Sequence, residues 1–162
     1  MTAVTSTALY RGYIATAPVV EVRYRSEPQG VSGHSNSTAS LIEVLPWQRR
    51  ALRAIAALGD LPNNWDGYGS RPPDRSVREW VSRLVLKADM GTLAEPEFSP
   101  ESDRGLQMNW WSGHHREAEF HFEPGKSGTF LRVENGSPVD EGAFAQSDEE
   151  TFKSVLNWLR RG

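Results

Sequence analysis

From residue 106 to residue 134 the apolar positions recur at every second residue, and this run constrains the chain more than any other feature. Leu106, Met108 and Trp110 alternate with Gln107, Asn109 and Trp111, and Ala118, Phe120 and Phe122 alternate with Glu117, Glu119, His121 and Glu123. Leu131 and Val133 then alternate with Phe130, Arg132 and Glu134. A period of two is the signature of strands with one apolar and one wet face. The intervening segments Ser112-Gly113-His114-His115 and Pro124-Gly125-Lys126-Ser127-Gly128 are short and turn-forming, so the strands are expected to follow one another as an antiparallel meander. Asn135-Gly136 is read as the end of the meander and residues 137–146 as a loop.

Before this run the period is that of a helix. Leu41 to Leu58 places Trp47, Ala51, Ile55 and Leu58 on one stripe, widened by Leu52, with Pro46 near the first turn and Gly59 as C-cap. Asp74 to Met90 places Val77, Trp80, Val81, Leu84 and Ala88 on another, ending at Gly91. After the meander, Ser147-Asp148-Glu149-Glu150 reads as a capping box with Ser147 as N-cap. The helix it opens carries Phe152, Val155, Leu156 and Leu159 on one face, with Trp158 beside them. Helices, then strands, then a helix indicate an α+β fold: a helical hairpin, an antiparallel β-meander of three or more strands, and a C-terminal helix packed on the sheet. One shared core is expected to contain Trp80, Trp110, Phe120 and Phe152. Residues 41–162 are read as a single domain. Residues 1–40 are read as a strand-like segment around Val20, Val22 and Tyr24 followed by a flexible linker.

The two helical segments are separated by Asn63-Asn64-Trp65-Asp66-Gly67-Tyr68-Gly69-Ser70-Arg71-Pro72-Pro73. Asn and Gly tolerate positive φ, and the two prolines delay the next helix. Trp65 and Tyr68 either fold back over the helices, with Asp66 in an Asx-type bond, or leave Asp66 and Tyr68 exposed as a recognition edge. The string Asn-Trp-Asp-Gly-Tyr-Gly-Ser-Arg-Pro-Pro followed by an amphipathic helix resembles a family of small uncharacterised bacterial proteins. Their pattern is W-D-G-Y-G-A-x-P, a helix, and a meander with alternating glutamates. Trp65, Asp66, Gly67, Tyr68 and Gly69 match it, Ser70 stands in place of Ala, and Arg116 to Phe122 resembles the glutamate strand. The resemblance covers about residues 60–160 and implies the fold and a bacterial origin, with no settled activity.

Charge is distributed unevenly. Residues 91–150 hold thirteen Asp/Glu against four Lys/Arg, whereas residues 41–90 hold six against eight. The acidic part disfavours nucleic acid and suits a basic partner, although solubility alone also explains such a surface. The chain contains no cysteine, which excludes disulfides and thiolate metal sites and fits a reducing cytoplasm. Neither a leader pattern nor an apolar run of membrane-spanning length is evident.

Chemistry-bearing residues collect on the wet face of the meander. Matching core to core puts Asn109 opposite Glu119 and Gln107 opposite His121. A next turn placing His121 opposite Arg132 and Glu119 opposite Glu134 would gather Asn109, Glu119, His121, Arg132 and Glu134 into one patch beside Trp111. Three readings compete: a solvated sheet face, a protein-binding face, and a catalytic or metal site. In the binding reading Trp111, Glu117, Glu119, Asn109 and Arg132, with Asp66 and Tyr68 on the loop, contact a basic protein in the manner of an antitoxin or immunity protein. In the catalytic reading a small hydrolase uses Glu119 or Glu134 with His121. A third class is nucleic-acid binding through Arg49, Arg50, Arg53, Arg71 and Arg75. The spacing of His114, His115 and His121 matches no zinc pattern, and no phosphate-binding, nucleophile-elbow or metalloprotease motif is present. No cofactor is expected, and the sequence specifies no oligomeric state.

Overall fold

The computed structural model describes residues 44–161 apart from Thr92, His114 and Lys126. The strand and linker expected within residues 1–40 lie outside the described residues. The element order is α1 (Pro46–Ala57) with a 3-10 turn (Leu58–Asp60), α2 (Arg75–Lys87), β1 (Glu97–Pro100), β2 (Leu106–Ser112), β3 (Arg116–Phe122), β4 (Ser127–Glu134), β5 (Ser137–Ala145) and α3 (Glu149–Arg160). The fold is α+β: the five strands form one antiparallel meander in chain order, and the last helix packs against β2 and β3.

The first two helices form an antiparallel pair. Gln48, near the start of α1, donates its side-chain amide to the carbonyls of Val85 and Leu86 at the end of α2, each at 3.1 Å. At the other end Gly59 packs against the guanidinium of Arg78. Pro46 occupies the first turn of α1, where its missing N–H costs nothing. Gly59 does not cap the helix: the chain tightens into the 3-10 turn and Leu58 is the C-cap. Helix α2 likewise stops at Lys87, short of Gly91. In α3 the N-cap is Asp148, whose Oδ1 accepts the Thr151 N–H at 3.1 Å. Asp therefore displaces Ser147 from the capping position, and Glu150 pairs with Lys153 instead of reaching back.

All four expected core residues, Trp80, Trp110, Phe120 and Phe152, are buried. Trp80 meets Phe122 edge-on at 5.0 Å and Phe120 lies 5.1 Å from Phe152, so α2 and α3 share one aromatic cluster on the sheet. The Trp110 indole N–H donates to the Ala94 carbonyl at 2.6 Å, which satisfies the only polar atom of that side chain.

The meander is longer than the alternation suggests at both ends. Phe98 and Pro100 belong to the edge strand β1. Asn135-Gly136 does not end the sheet but turns it: φ values of 52° and 74° at these residues, with Glu134 paired to Ser137, make a two-residue hairpin into β5. The expected loop at 137–146 is therefore mostly strand.

The β3–β4 register also departs from expectation. Glu123 N–H bonds to the Ser127 carbonyl, closing a three-residue turn, and His121 faces Thr129, Glu119 faces Leu131 and Ala118 faces Arg132. Phe130, Arg132 and Glu134 thus lie on the helix side and Leu131 and Val133 on the other, the reverse of the alternation argument. The physical cause is a pair of glycines opposite aromatic residues. Gly128 pairs with Phe144 and Gly142 with Phe130. A Cβ on Gly128 would stand 2.9 Å from the Phe144 ring, and one on Gly142 would stand 2.8 Å from that of Phe130. Each ring covers the glycine across from it, so this register fills the helix-side layer with Phe130 and Phe144.

Candidate functional site

All three helices lie on one side of the sheet, and the residues of opposite parity form an open face arranged in rows across the strands. One row runs Trp111, Glu117, Val133, Pro138. The next runs Glu97, Asn109, Glu119, Leu131, Glu141, and the third Ser99, Gln107, His121, Thr129, Ala143. Glu101, just after β1, reaches into the third row. Its Oε1 lies 2.5 Å from His121 Nδ1, while Glu119 Oε2 is 3.8 Å from His121 Nε2. Gln107 donates its amide to Asn109 Oδ1 at 3.0 Å. Glu97, Glu101, Glu117, Glu119 and Glu141 therefore share this face, and no Lys or Arg stands in its rows.

Two ionisable groups register the crowding. Hydrogen bonding to Glu101, reinforced by the nearby Glu119 carboxylate, raises the His121 pKa against a smaller opposing effect of burial. Glu117 is also pushed up, first by burial and then by repulsion from Glu119, with the Trp111 indole pulling the other way. Glu117 and Glu119, two residues apart on one strand with only His121 beside the second, favour an external positive charge.

Of the residues expected on this face, Asn109, Trp111, Glu117, Glu119 and His121 are brought together. Arg132 and Glu134 are not. Both turn under the sheet because of the Gly–Phe register, where Arg132 pairs with Asp140 at 3.0 Å and Glu134 with Arg116 at 2.7 Å. The hydrolase constellation of Glu119, Glu134 and His121 is consequently split between two faces. Glu97, Glu101 and Glu141 were missed. Glu101 sits in a polar turn without periodicity, and Glu141 lies in the strand hidden behind Asn135-Gly136, whose hairpin signal is the clue to both β5 and its acid.

The loop between α1 and α2 is tied to itself. Asp66 accepts from the N–H groups of Tyr68 at 2.9 Å and Ser70 at 3.2 Å and from the Ser70 hydroxyl at 2.5 Å. The Ser70 hydrogen bond leads the causes that lower the Asp66 pKa. Asn64 Oδ1 accepts from Gly69 N–H, and the Trp65 indole donates to the Arg71 carbonyl at 3.2 Å. Trp65 is only half-buried. Tyr68 is 94% exposed, because Gly67 and Gly69, both at positive φ, carry the chain around it on the outside. Asp66 is thus an internal organiser of the loop, and Tyr68 is its presented side chain.

The helical arginines do not act together. Arg50 pairs with Glu95 and Arg75 with Glu79, leaving Arg49, Arg53 and Arg71 exposed. Among the described residues no group of His, Asp and Glu is placed to hold a metal ion. His115 contacts Asn135, and His114 lies outside the described residues. No helix among the described residues is long and apolar enough to cross a membrane. Comparison with protein-family models, curated proteins and solved structures finds no match.

Proposed function

We propose that this chain is a binding module that engages a basic protein through the open face of its sheet, as an inhibitor or accessory protein of the antitoxin or immunity type. The observation that carries the reading is the segregation of charge. Five glutamates share one face with no Lys or Arg in its rows, while both arginines of the central strands turn to the opposite side. Such a face attracts a cationic surface over a distance and orients it during encounter. Trp111 and Val133, half-buried on either side of Glu117 in the first row, supply an apolar anchor within the acidic surround. The geometry favours an interface over a hydrolytic centre because Glu134 is turned to the other side of the sheet from Glu119 and His121, and the open cleft of about 540 Å³ beside His121 is lined mainly by Thr129, Phe130, Leu131 and Gly142. The proposed setting is a bacterial cytoplasm, in keeping with the cysteine-free composition and the loop resemblance.

The test is charge reversal on the open face. Partners captured from a bacterial lysate by the wild-type protein are purified, and their affinity for wild type and for the Glu117→Lys, Glu119→Lys double variant is measured at low and high salt. A basic partner whose association slows in the variant, with the difference narrowing as salt screens exposed charges, supports the proposal. A partner bound equally by both proteins removes the face from consideration.

A further inference from the structure

The other side of the sheet holds a second concentration of charge, and it is cationic. Arg116 on β3 and Arg132 on β4 flank the Trp158 indole of α3, with guanidinium carbons 5.0 Å and 5.6 Å from its ring centroid. Stacking on an aromatic fixes the plane of a guanidinium. Each arginine is also held along one edge by a carboxylate, Arg116 Nε by Glu134 at 2.7 Å and Arg132 Nη1 by Asp140 at 3.0 Å. Arg116 Nη1 donates to the Trp158 carbonyl at 2.9 Å. That bond occupies one of the C-terminal carbonyls of α3, which would otherwise repel an anion.

These bonds leave donors over. A guanidinium has five N–H groups, and Arg116 uses two in the contacts named, whereas Arg132 adds only a long 3.4 Å approach to Ser154 Oγ. Arg132 Nε is buried with no hydrogen-bond partner, as is Arg160 Nε. A cleft of about 480 Å³ opens over the two arginines, with Lys153 and Arg161 on its rim. Arg161 forms no ion pair among the described residues. Four cations thus surround a cleft to which Glu134, Asp140 and Glu150 bring three carboxylates, and this local surplus occurs in a chain of net charge −3.

We propose that this cleft is a binding site for a small polyvalent oxyanion, a metabolite carrying two or more phosphoryl or carboxylate groups. Arg116 and Arg132 present the unused N–H groups of their terminal nitrogens to one anionic group in the manner of paired guanidinium clamps. Lys153 and Arg161 neutralise the second, with Lys153 exchanging its surface pair with Glu150 for the ligand. The volume lies within the range of small-molecule sites. The site is on the opposite face of the sheet from the proposed protein interface and does not depend on it.

Titration of the full chain with pyrophosphate and with citrate, followed by calorimetry and by the Arg Nε–H and Trp indole resonances, tests the proposal. Saturable binding of either probe is expected, with the Arg116, Arg132 and Trp158 signals moving together. Preference for pyrophosphate assigns a phosphoryl ligand and preference for citrate a carboxylate one. Arg132→Gln should weaken binding by about tenfold or more, since it removes charged hydrogen bonds. The rim variant Lys153→Gln with Arg161→Gln should weaken it by about threefold. Glu117→Lys with Glu119→Lys should leave it unchanged. If Arg132→Gln fails to fold, the rim variant decides, because both of its positions are exposed. Failure of both probes to saturate below about 10 mM, or wild-type affinity in the folded variants, overturns the site.

Discussion

The two faces of the central strands alternate residue by residue along the same chain and carry opposite charge. On β3, Glu117, Glu119 and His121 point away from the helices, while Arg116, Ala118, Phe120 and Phe122 point toward them. On β4, Thr129, Leu131 and Val133 share the open side, and Phe130, Arg132 and Glu134 the covered side. The covered face tolerates arginines because Trp158 stacks on them and Glu134 and Asp140 neutralise them. The open face offers its carboxylates only His121, which lies 2.5 Å from Glu101 and 3.8 Å from Glu119. Burial, then, is not what separates polar from apolar residues here. What differs between the faces is the kind of partner: guanidinium–carboxylate pairs stacked on Trp158 on one side, and carboxylates sharing the single imidazole of His121 on the other.

Deleting a ring from the covered face should produce the largest effect. Phe120→Ala removes a fully buried side chain in contact with Phe122, Phe144 and Phe152 and is expected to cost roughly 3–5 kcal/mol in denaturant unfolding. Thr129→Ala, on the open side of the adjoining strand, is expected within about 0.5 kcal/mol. Comparable losses from both would abolish the distinction between the faces. A smaller effect should come from Gly128→Ala. Its Cβ would meet the His121 carbonyl oxygen at 2.8 Å and the Phe144 ring at 2.9 Å, so destabilisation of about 1–3 kcal/mol is expected. A neutral result would mean that the Gly–Phe packing does not set the register.

The loop offers the same contrast on a reduced scale. Asp66→Ala removes three internal hydrogen bonds and should lower the thermal midpoint, since the loop N–H groups lose their acceptor. Tyr68→Ala, at a side chain 94% exposed, should change thermal stability by less than about 0.5 kcal/mol. Equal losses at both positions would show that Tyr68 is packed.

The smallest effects are those of pH, and they sharpen the picture of the open face. An NMR titration should find the His121 midpoint above the ordinary imidazole value of about 6.5, and Glu101→Gln should lower it. The folded protein holds this proton more tightly than the unfolded chain does. The contribution is therefore complete below about 6.5 and is lost as pH rises through the raised folded value. Glu117 acts in the same sense with pH. Its folded pKa is raised by burial and by Glu119, so its penalty stands above the raised value and is relieved on acidification. Stability that rises with pH across the His121 transition would contradict the Glu101–His121 contact.

Local pattern alone determined the helices, the α+β class, the residues of the shared core and the β2–β3 register. Each rests on a period of two or 3.6, or on a turn whose three residues permit only one matching of core to core. The same reasoning recovered the wet-face positions Asn109, Glu119 and His121, because β2 and β3 are neighbours joined by that turn. It misplaced Arg132 and Glu134 because the parity of β4 is decided by a strand that lies beyond it. Leu131 and Val133 are the more apolar set by type, yet they face outward because Phe130 and Phe144 cover Gly142 and Gly128 between β4 and β5. Whether an aromatic covers a glycine depends on a pairing partner that single-strand alternation does not identify. The acidic face without arginine, and the place of Arg132 in the cleft around Trp158, follow from that one inversion of parity. Tertiary packing, which weighs the volume of a whole layer against the polarity of one residue, made that decision.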